Sequence, residues 1–317
     1  MGAVRWGIMS TARINRLFLA GVRASAEAEA VAVASRDRAG AERYAREHGI
    51  ARAHGSYEAL LADPEVEAVY ISLPNSLHLE WSVRALQAGK HVLCEKPLGR
   101  RAAEVQAAFD IAEREGRLLM EAFMYRHHPQ TRRLVELAEA GAVGRVRMIQ
   151  AAFSFRAEDP ADVRLQVAFD GGALMDVGCY CVSAARLIGG EPERVSAEQA
   201  LGGDGVDVAF AASMRFPGGV LAHFDAGLAL APRHHLEVVG EEGSLFLADP
   251  WHCRAPLIEL RRGGDTERIE IPAADSYQLE AENMGAAIRG EAPPLLGREE
   301  AVGQARAIEA LYDAAAR

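Results

Sequence analysis

The turn that follows the first apolar run of the chain has the residue sizes of a phosphate-binding turn. Val4–Met9 predicts a buried strand, and a helical pattern begins near Ile14. On the pattern G-x-G-x-x-G the three glycine positions hold Ser10, Ala12 and Asn15, so the pattern itself is not met. Small side chains at positions 10 and 12 still allow a tight turn, and the helix N-terminus behind them offers free N–H groups to a pyrophosphate. The alternative is an ordinary strand-to-helix turn.

The second apolar run, Ala28–Ser35, ends with a hydroxyl and a guanidinium side by side. A carboxylate at this point would accept a hydrogen bond from a ribose 2′-hydroxyl and indicate NAD. Ser35 and Arg36 instead suit a 2′-phosphate, because a guanidinium forms forked, charge-assisted bonds with it. We therefore expect NADP as the preferred cofactor. Asp37 keeps NAD open, and the alternative role for Arg36 is a solvated surface charge.

Short apolar runs alternate with amphipathic segments over the first 122 residues. Strands that are apolar on both faces and alternate with helices indicate a parallel sheet covered on two sides. We predict an α/β chain whose residues 1–122 form a Rossmann domain, with a doubly wound parallel sheet that binds a dinucleotide. The predicted strands after the first are Ala28–Ser35, Ala68–Leu73, His91–Cys94 and Leu118–Ala122, and the predicted helices are Arg38–His48, Leu77–Ala88 and Ala102–Glu115.

The pattern changes after about residue 145 to longer, partly alternating runs with glycine-rich turns between them. Residues 123–317 are therefore predicted to form a second α+β domain, with an open, mostly antiparallel sheet, that binds substrate and forms oligomers. The predicted strands are Arg147–Arg156, Val206–Phe216, Gly219–Ala226, His235–Val239 and Glu267–Ile271, and the predicted helices are Gly172–Leu187, Leu279–Ile288 and Glu299–Ala315.

Composition excludes several classes of protein. The chain has 317 residues, of which 50% are hydrophobic and 25% charged, which is ordinary globular usage. Its net charge of −10 disfavours partners such as nucleic acid or an anionic membrane surface. Four cysteines are too few for a disulfide framework, and the pair Cys179 and Cys181 diverges on a helix, so we predict no metal site. No apolar run reaches the roughly 18 residues of a membrane span, and the N-terminus lacks a signal-peptide layout, so we expect a cytoplasmic location.

Four motifs in order along the chain carry a family resemblance. They are Leu73-Pro74-Asn75-Ser76-Leu77-His78, Glu95-Lys96-Pro97, Glu121-Ala122-Phe123-Met124-Tyr125-Arg126 and Gly171-Gly172-Ala173-Leu174-Met175-Asp176-Val177-Gly178-Cys179-Tyr180. Together they resemble the glucose–fructose oxidoreductase / inositol dehydrogenase (Gfo/Idh/MocA) family over nearly the whole chain. Within it, the branch of dimeric dihydrodiol dehydrogenases and NADP-dependent xylose dehydrogenases is the most similar. The chain departs from the family pattern at Ala12 and Asn15.

The resemblance implies the roles of the site residues. Lys96 would lie near the nicotinamide and the substrate hydroxyl, with a cis bond before Pro97 aiming it into the cleft. Asp176 would orient the substrate, and Tyr180 would exchange the hydroxyl proton, its pKa lowered by the ammonium of Lys96. Tyr277 would line the pocket. The predicted catalytic residues are Lys96, Tyr180 and Asp176, and the predicted cofactor-binding residues are Ser10, Thr11, Ala12, Arg13, Ile14, Ser35, Arg36, Leu73, Pro74, Asn75, His78, Glu95, Lys96 and Arg164.

The activity implied by the resemblance is hydride transfer between a nicotinamide and a secondary alcohol or ketone of a sugar, polyol or cyclic diol. One alternative is reduction of a keto-sugar by the same residues in the biosynthetic direction. A second is a non-catalytic NAD(P)-binding sensor or corepressor with the same fold. Relatives bury the face of the second sheet between subunits, so the resemblance also implies a homodimer or homotetramer.

Overall fold

The computed structural model describes residues 2–317 and divides into two compact units. The first contains the residues up to 124 together with residues 275–302, and the second contains residues 125–274 and 303–317. Residues 275–302, which a division after residue 122 assigns to the second domain, therefore pack with the first unit. The roles predicted for the two domains remain predictions.

The first unit is built on a parallel sheet of six strands within residues 2–317. Its order is β3-β2-β1-β4-β5-β6, and every pair of neighbours is parallel. This is the Rossmann order, which reverses direction between β1 and β4, so the predicted fold of this part is confirmed. The strands are β1 (Val4–Met9), β2 (Ala28–Ala34), β3 (Arg52–His54), β4 (Ala68–Ile71), β5 (His91–Glu95) and β6 (Leu119–Ala122).

Helices cover this sheet because each turns an apolar stripe toward it. In the first helix, for example, Phe18, Leu19 and Val22 are buried. This first helix also lies so close to the helix Ser276–Ile288 that a Cβ on Gly21 would stand 2.4 Å from the backbone nitrogen of Gln278. The helices of the first unit are α1 (Asn15–Ala24), α2 (Arg38–His48), α3 (Tyr57–Leu61), α4 (His78–Gln87), α5 (Ala102–Arg114) and α8 (Ser276–Ile288).

The second unit is built on an eight-stranded sheet, counted over residues 2–317, in the order β14-β13-β12-β11-β7-β10-β9-β8. Only the β7–β10 pair is parallel, so the prediction of a mostly antiparallel sheet is confirmed. The strands are β7 (Val146–Arg156), β8 (Arg194–Leu201), β9 (Asp207–Arg215), β10 (Leu221–Gly227), β11 (Ala229–Gly240), β12 (Ser244–Leu247), β13 (Leu257–Arg262) and β14 (Asp265–Glu270).

The other three α-helices within residues 2–317 are α6 (Pro129–Glu139), α7 (Cys179–Gly189) and α9 (Arg298–Ala315). Helix α7 follows a π-helical turn, Leu174–Gly178, where the sequence predicted a regular helix from Gly172. The elements that sequence reasoning missed are β3, α3, α6, β8, β12 and β13. Within residues 2–317, no helix has the length and apolar character needed to cross a membrane.

Candidate active site

The turn after β1 is held by a buried cluster of hydroxyl and amide groups. Ser10 occupies the first glycine position with φ of 139°, a region that favours glycine. Its hydroxyl lies 2.7 Å from that of Ser72, which follows β4, and accepts a hydrogen bond from the N–H of Ala12. Asn15 is fully buried and donates its side-chain amide to the carbonyl of Ser10 at 2.9 Å. Polar side chains therefore shape this turn where the usual pattern relies on glycines.

The same turn leaves backbone donors exposed at the start of α1. Within the described residues, the N–H groups of Thr11, Arg13 and Ile14 donate no hydrogen bond to the protein. They stand at the carboxyl end of β1, beside the point where the strand order reverses. Free N–H groups at a helix N-terminus at this position suit the pyrophosphate of a dinucleotide. The predicted turn therefore fits such a cofactor.

The carboxylate that complicated the choice of cofactor is engaged elsewhere. Asp37 caps α2, accepting hydrogen bonds from the N–H groups of Ala39 at 3.2 Å and Gly40 at 2.8 Å. Because both oxygens of Asp37 accept these capping bonds, the carboxylate is directed at the helix rather than toward a ribose hydroxyl. Ser35 is half-buried and Arg36 is exposed at the end of β2. The arrangement leaves a hydroxyl and a guanidinium available to a 2′-phosphate.

Lys96 follows β5 in a loop whose neighbours are tied to the sheet. Its bond to Pro97 is cis, as the resemblance implies. The carboxylate of Glu95 accepts a short hydrogen bond from the hydroxyl of Tyr70 on β4. Burial and the charge of Glu95 raise the pKa of that phenol well above its ordinary range, so Tyr70 remains a donor. Leu73, Pro74 and Asn75 enter the short turn before α4, which follows the neighbouring strand.

His78, predicted to contact the cofactor, has both ring nitrogens turned toward main-chain carbonyl groups. Nδ1 lies 2.8 Å from the oxygen of Pro97, and Nε2 lies 2.8 Å from the oxygen of Leu73. The side chain is 1% exposed. The geometry thus gives His78 a place in the scaffold beneath the loop of Lys96.

In the second unit, two glycines allow the chain to enter the π-helical turn that carries Asp176. A Cβ on Gly171 would stand 2.4 Å from the carbonyl oxygen of Arg164, and one on Gly172 would stand 2.2 Å from Asp207. Gly172 also has φ of 125°. Asp207 in turn accepts from the N–H of Leu174 at 2.7 Å. The Gly-Gly pair is therefore required by close packing, and π-helical turns are frequent at functional sites.

Asp176 shares a guanidinium with a second carboxylate. Arg164 forms a two-point pair with Asp162, with nitrogen–oxygen distances of 2.9 and 2.6 Å, and its Nη1 lies 3.6 Å from Oδ2 of Asp176. The guanidinium also lies over the ring of Phe155 at 4.8 Å. The bond to Asp162, then the charge of Asp176, raise the pKa of Arg164. Arg164 thus holds a fixed positive charge beside Asp176.

Tyr180 lies in the first turn of α7 among other aromatic rings. The ring centroids of Phe153, Tyr125 and Trp251 are 5.4, 5.7 and 5.9 Å from its own. Tyr180 is 8% exposed, whereas Phe153 is half-buried and lies edge-on to the ring of His252 at 5.6 Å. The aromatic surroundings fix the orientation of the phenol and continue toward the surface.

Sequence reasoning missed several residues of these arrangements. Ser72 and Phe153 lie in apolar runs whose pattern predicted strands, so nothing in the pattern distinguished them. Glu121 was quoted only as part of a motif, yet it is 2% exposed and binds the loop after Lys96. Tyr277 lies in the first turn of α8, in the first unit with Tyr70. A charged side chain inside an otherwise apolar strand was the available indication for Glu121.

The remaining candidates for metal or thiol chemistry lie in the core. All four cysteines are buried, and burial raises the pKa of the Cys94 and Cys181 thiols well above their ordinary range. Burial lowers the pKa of His127 to about 3. Across residues 2–317, no group of three or more His, Cys, Asp or Glu side chains is arranged to hold a metal ion.

Comparison with protein families gives two matches that together span most of the chain. A model described as an oxidoreductase family with an NAD-binding Rossmann fold matches residues 4–123. A model described as the GFO/IDH/MocA C-terminal domain matches residues 131–246. These matches and the fold define an NAD(P)-dependent oxidoreductase.

Individual relatives agree with this class. D-xylose 1-dehydrogenase (NADP(+)) 2 of Haloferax volcanii is 42% identical over 98% of this chain and 97% of its own length. Trans-1,2-dihydrobenzene-1,2-diol dehydrogenase of Sus scrofa is 34% identical over 89% of this chain and 84% of its own. The chain belongs to the Gfo/Idh/MocA family, as the motifs indicated.

A solved structure matches both units. A 3-ketoreductase from Actinomadura kijaniata, in complex with NADP and TDP-benzene, has a TM-score of 0.93 at 32% identity and covers 99% of this chain and 98% of its own. The same ketoreductase has also been solved as a variant in which phenylalanine replaces a tyrosine, and as one in which alanine replaces a lysine.

Proposed function

We propose that this oxidoreductase uses NADP to interconvert a secondary alcohol and a ketone on a sugar, polyol or cyclic diol. During oxidation the alcohol carbon gives up its hydrogen with the bonding pair, the hydroxyl gives up a proton, and a carbonyl group forms. The nicotinamide, when bound, takes or returns the hydride. The protein binds and orients the two partners and handles the proton. The same groups serve reduction of a keto-sugar, so direction follows from cofactor and substrate concentrations.

Tyr180 is the proposed proton acceptor and Lys96 its activator. A free phenol has a pKa of about 10, so at neutral pH it stays protonated and cannot accept a proton. An adjacent ammonium lowers that pKa. Asp176 would accept a hydrogen bond from a second substrate hydroxyl. The position of Arg164, whose Nη1 lies 3.6 Å from Oδ2 of Asp176, supports this role, because the ion pair holds the carboxylate in one place.

Spacing supports the pairing of these two residues in one reaction. In the Actinomadura ketoreductase, the substituted lysine and tyrosine are separated by the same number of residues as Lys96 and Tyr180. Because the two chains match over nearly their full lengths, equal spacing is expected if the positions correspond.

The aromatic surface next to Tyr180 is the main support for a cyclic substrate. From the buried phenol it passes through Phe153 and His252 to His234, whose ring lies 5.9 Å from that of His252. Burial is the main cause that lowers the pKa of His252, which favours the neutral ring. Neutral aromatic faces pack against the C–H faces of sugar or cyclohexadiene rings, while Asp176 accepts from hydroxyl groups. A cyclic polyol fits both features.

The cofactor-binding residues follow from the same proposal. The turn from Ser10 to Ile14 would bind the pyrophosphate, and Ser35 and Arg36 the 2′-phosphate. Residues 73–75 and Glu95 would border the nicotinamide half. Arg164 is predicted at the nicotinamide, and its two carboxylate partners support a substrate-side position equally well.

The test is a nicotinamide absorbance assay against a panel of pentoses, hexoses, inositols and dihydrodiols in both directions. Wild type is compared with Lys96→Ala and Tyr180→Phe. We expect turnover of at least one cyclic polyol, and losses of about 10²- to 10⁴-fold in kcat for both variants, which is the usual contribution of a general base. Equal rates in all three proteins would remove the catalytic assignment. Cofactor binding without turnover across the panel would favour a sensor.

We also propose a homodimer or homotetramer formed through the open face of the second sheet. That face carries small and polar side chains, including Ser196 and Ser213, whose hydroxyl oxygens lie 2.7 Å apart. Ala211 is exposed on it between Glu198 and Asp225 on the neighbouring strands. Flat strands bearing small residues suit close contact between sheets.

Light scattering at micromolar concentration tests this assembly, with Ala211→Arg as the disruptive variant. An arginine beside two carboxylates is tolerated in a monomer but would be buried at an interface. We expect wild type to be a dimer or tetramer and the variant to dissociate. A monomeric wild type would contradict the proposal.

A further inference from the structure

Both polar groups of the peptide unit between Pro97 and Leu98 are bound by buried ionisable side chains. The carbonyl oxygen of Pro97 lies 2.8 Å from Nδ1 of His78. The N–H of Leu98 donates to Oε1 of Glu121 at 2.8 Å. His78 and Glu121 are 1% and 2% exposed, so neither contact is exchanged readily for water. This peptide unit comes one residue after Lys96, and its plane is fixed from two sides.

The two side chains come from different elements of the Rossmann sheet. His78 begins α4, and its second ring nitrogen lies 2.8 Å from the carbonyl oxygen of Leu73 after β4. Glu121 lies in β6, next to β5, and its own N–H donates to the carbonyl of Leu296 at 3.2 Å. The loop after β5 is thereby tied to the segments that follow or form both neighbouring strands.

Neither contact is needed to bury apolar surface, and each carries a desolvation penalty. Because a carbonyl group can only accept, the ring nitrogen that bonds Pro97 and the one that bonds Leu73 each have to donate, so the ring bonds both carbonyls at once only when both nitrogens carry a proton. A carboxylate that accepts from Leu98 gives the opposite polarity on the other side of the same peptide. Burying an imidazole and a carboxylate against one peptide unit costs more desolvation free energy than an ordinary loop requires.

We infer that His78 and Glu121 are positioning residues for Lys96: they clamp the Pro97–Leu98 peptide unit and so fix the direction in which the lysine side chain leaves the loop. The inference rests on the proposed function, in which Lys96 activates the phenol of Tyr180. Misplacing a catalytic group by about 1 Å lowers the rate by about 100-fold. The proposed action on Lys96 passes through the backbone of the Pro97–Leu98 peptide unit.

Matched substitutions separate the clamp from general stability. His78→Asn retains a donor near the position of Nδ1 and loses the bond to Leu73, whereas His78→Gln retains a donor near Nε2 and loses the bond to Pro97. Glu121→Gln retains an acceptor for Leu98, and Glu121→Leu does not. We expect His78→Gln and Glu121→Leu to lower kcat by about 10- to 100-fold, with KM for NADP nearly unchanged. His78→Asn and Glu121→Gln should restore most of kcat.

The lysines provide a readout that needs no turnover. The chain contains only two, Lys96 and Lys90, so protein labelled with ¹³Cε-lysine gives two side-chain signals. Lys90 is buried and donates to the carbonyls of Asp63 and Val66 at 2.7 Å, so its signal reports an intact fold. We expect the Lys96 signal to shift and broaden in His78→Gln and Glu121→Leu while the Lys90 signal stays in place.

The outcomes divide cleanly. Unchanged Lys96 signals in His78→Gln and Glu121→Leu, or equal kcat losses within each matched pair, would overturn the clamp. Displacement of both lysine signals in His78→Gln and Glu121→Leu would also overturn it, since a general loss of fold would then explain the rates. Wild type without turnover on any substrate would contradict the proposed function instead. The lysine signals would still show whether His78 and Glu121 position Lys96.

Discussion

The hydroxyl of Ser72 donates a hydrogen bond to the side-chain oxygen of Asn15 at 2.5 Å, within the first unit. Ser72 follows β4 and Asn15 begins α1, so this bond spans the point where the order of the parallel strands reverses. The amide of Asn15 also donates to the carbonyl of Ser10. Asn15, the most evident departure from the glycine pattern, therefore ties the predicted phosphate-binding turn to the end of β4.

Ser10 provides the first prediction, which concerns backbone strain. Its φ of 139° costs a non-glycine residue about 1–3 kcal/mol. Ser10→Ala keeps that strain and loses the hydroxyl bonds, whereas Ser10→Gly loses the bonds and relieves the strain. After subtracting the greater unfolded-state entropy of glycine, we expect Ser10→Gly to be about 1 kcal/mol more stable than Ser10→Ala. Urea unfolding of the two variants measures the difference, and an Ala variant as stable as the Gly variant would refute the assignment.

Arg36 provides the second prediction, on cofactor choice. Loss of a charged hydrogen-bonding group from a phosphate costs about 1.5–3 kcal/mol. Arg36→Ala should therefore weaken NADP binding by about 10- to 100-fold and leave NAD binding nearly unchanged. Fluorescence titration of both cofactors measures the ratio.

Arg46 is the matched control. It is exposed in the last turn of α2, at the opposite end of that helix from Ser35 and Arg36. Arg46→Ala changes the net charge equally and should leave both affinities unaffected. A similar loss of NADP affinity in the two variants would mean that Arg36 acts only through overall charge.

Much of the fold of the first unit could be predicted from the sequence, because the pattern of apolar residues within each segment indicates its element. Runs such as Ala28–Ser35 and Ala68–Leu73 are largely apolar on both faces and alternate with helices, a pattern typical of a covered parallel sheet. The motif around Lys96 likewise indicated its loop. Short elements such as Arg52–His54 and Tyr57–Leu61 span too few residues to display a period, and they were missed.

Other features depend on contacts that no spacing reveals. At the π-helical turn that carries Asp176, Gly171 packs against the backbone of Arg164 in the preceding loop, and Gly172 packs against the carboxylate of Asp207, which is distant in sequence. Asp37 remained ambiguous in the sequence because a cap and a ribose ligand use the same residue type. Its capping bonds were visible only once α2 was placed.

Arg164 provides the third prediction, which separates two roles. If it holds Asp176 in place, Arg164→Met should raise KM for the substrate by about 10-fold, the value of one charged hydrogen bond, with little change in cofactor affinity. If it contacts the nicotinamide, the dissociation constant of NADP should rise instead. Steady-state kinetics and cofactor titration on the same preparation distinguish the roles, and loss of neither affinity would exclude both.

Glu280 provides the fourth prediction, on pH dependence. It is fully buried, and within residues 2–317 neither of its carboxylate oxygens has a hydrogen-bond partner. Burial, and then the charge of Glu95, raise its pKa well above the ordinary range. The folded protein therefore retains a proton that the unfolded chain releases above pH of about 4.3. Stability falls as the pH rises from that value toward the folded-state pKa, by up to about 1.4 kcal/mol per unit.

Glu280→Gln removes this proton release, so its advantage over wild type in free energy of unfolding should grow between pH 5.5 and 8. Glu282→Gln is the control on the same helix, since it is half-buried and its side chain is bound by Gln278. Urea unfolding at the two pH values measures the effect. An advantage that does not change with pH would contradict the assignment.

In the proposed reaction Lys96 and Tyr180 act as one unit on a single substrate hydroxyl, and a double-mutant cycle on kcat is the most direct test. Lys96→Met, Tyr180→Phe and the double variant are compared with wild type on the best substrate from the panel. Groups that share one proton transfer are not additive, so the double variant should be about as slow as the slower single variant. Losses that multiply in the double variant would show that Lys96 and Tyr180 act independently and would exclude the proposed proton transfer by the pair.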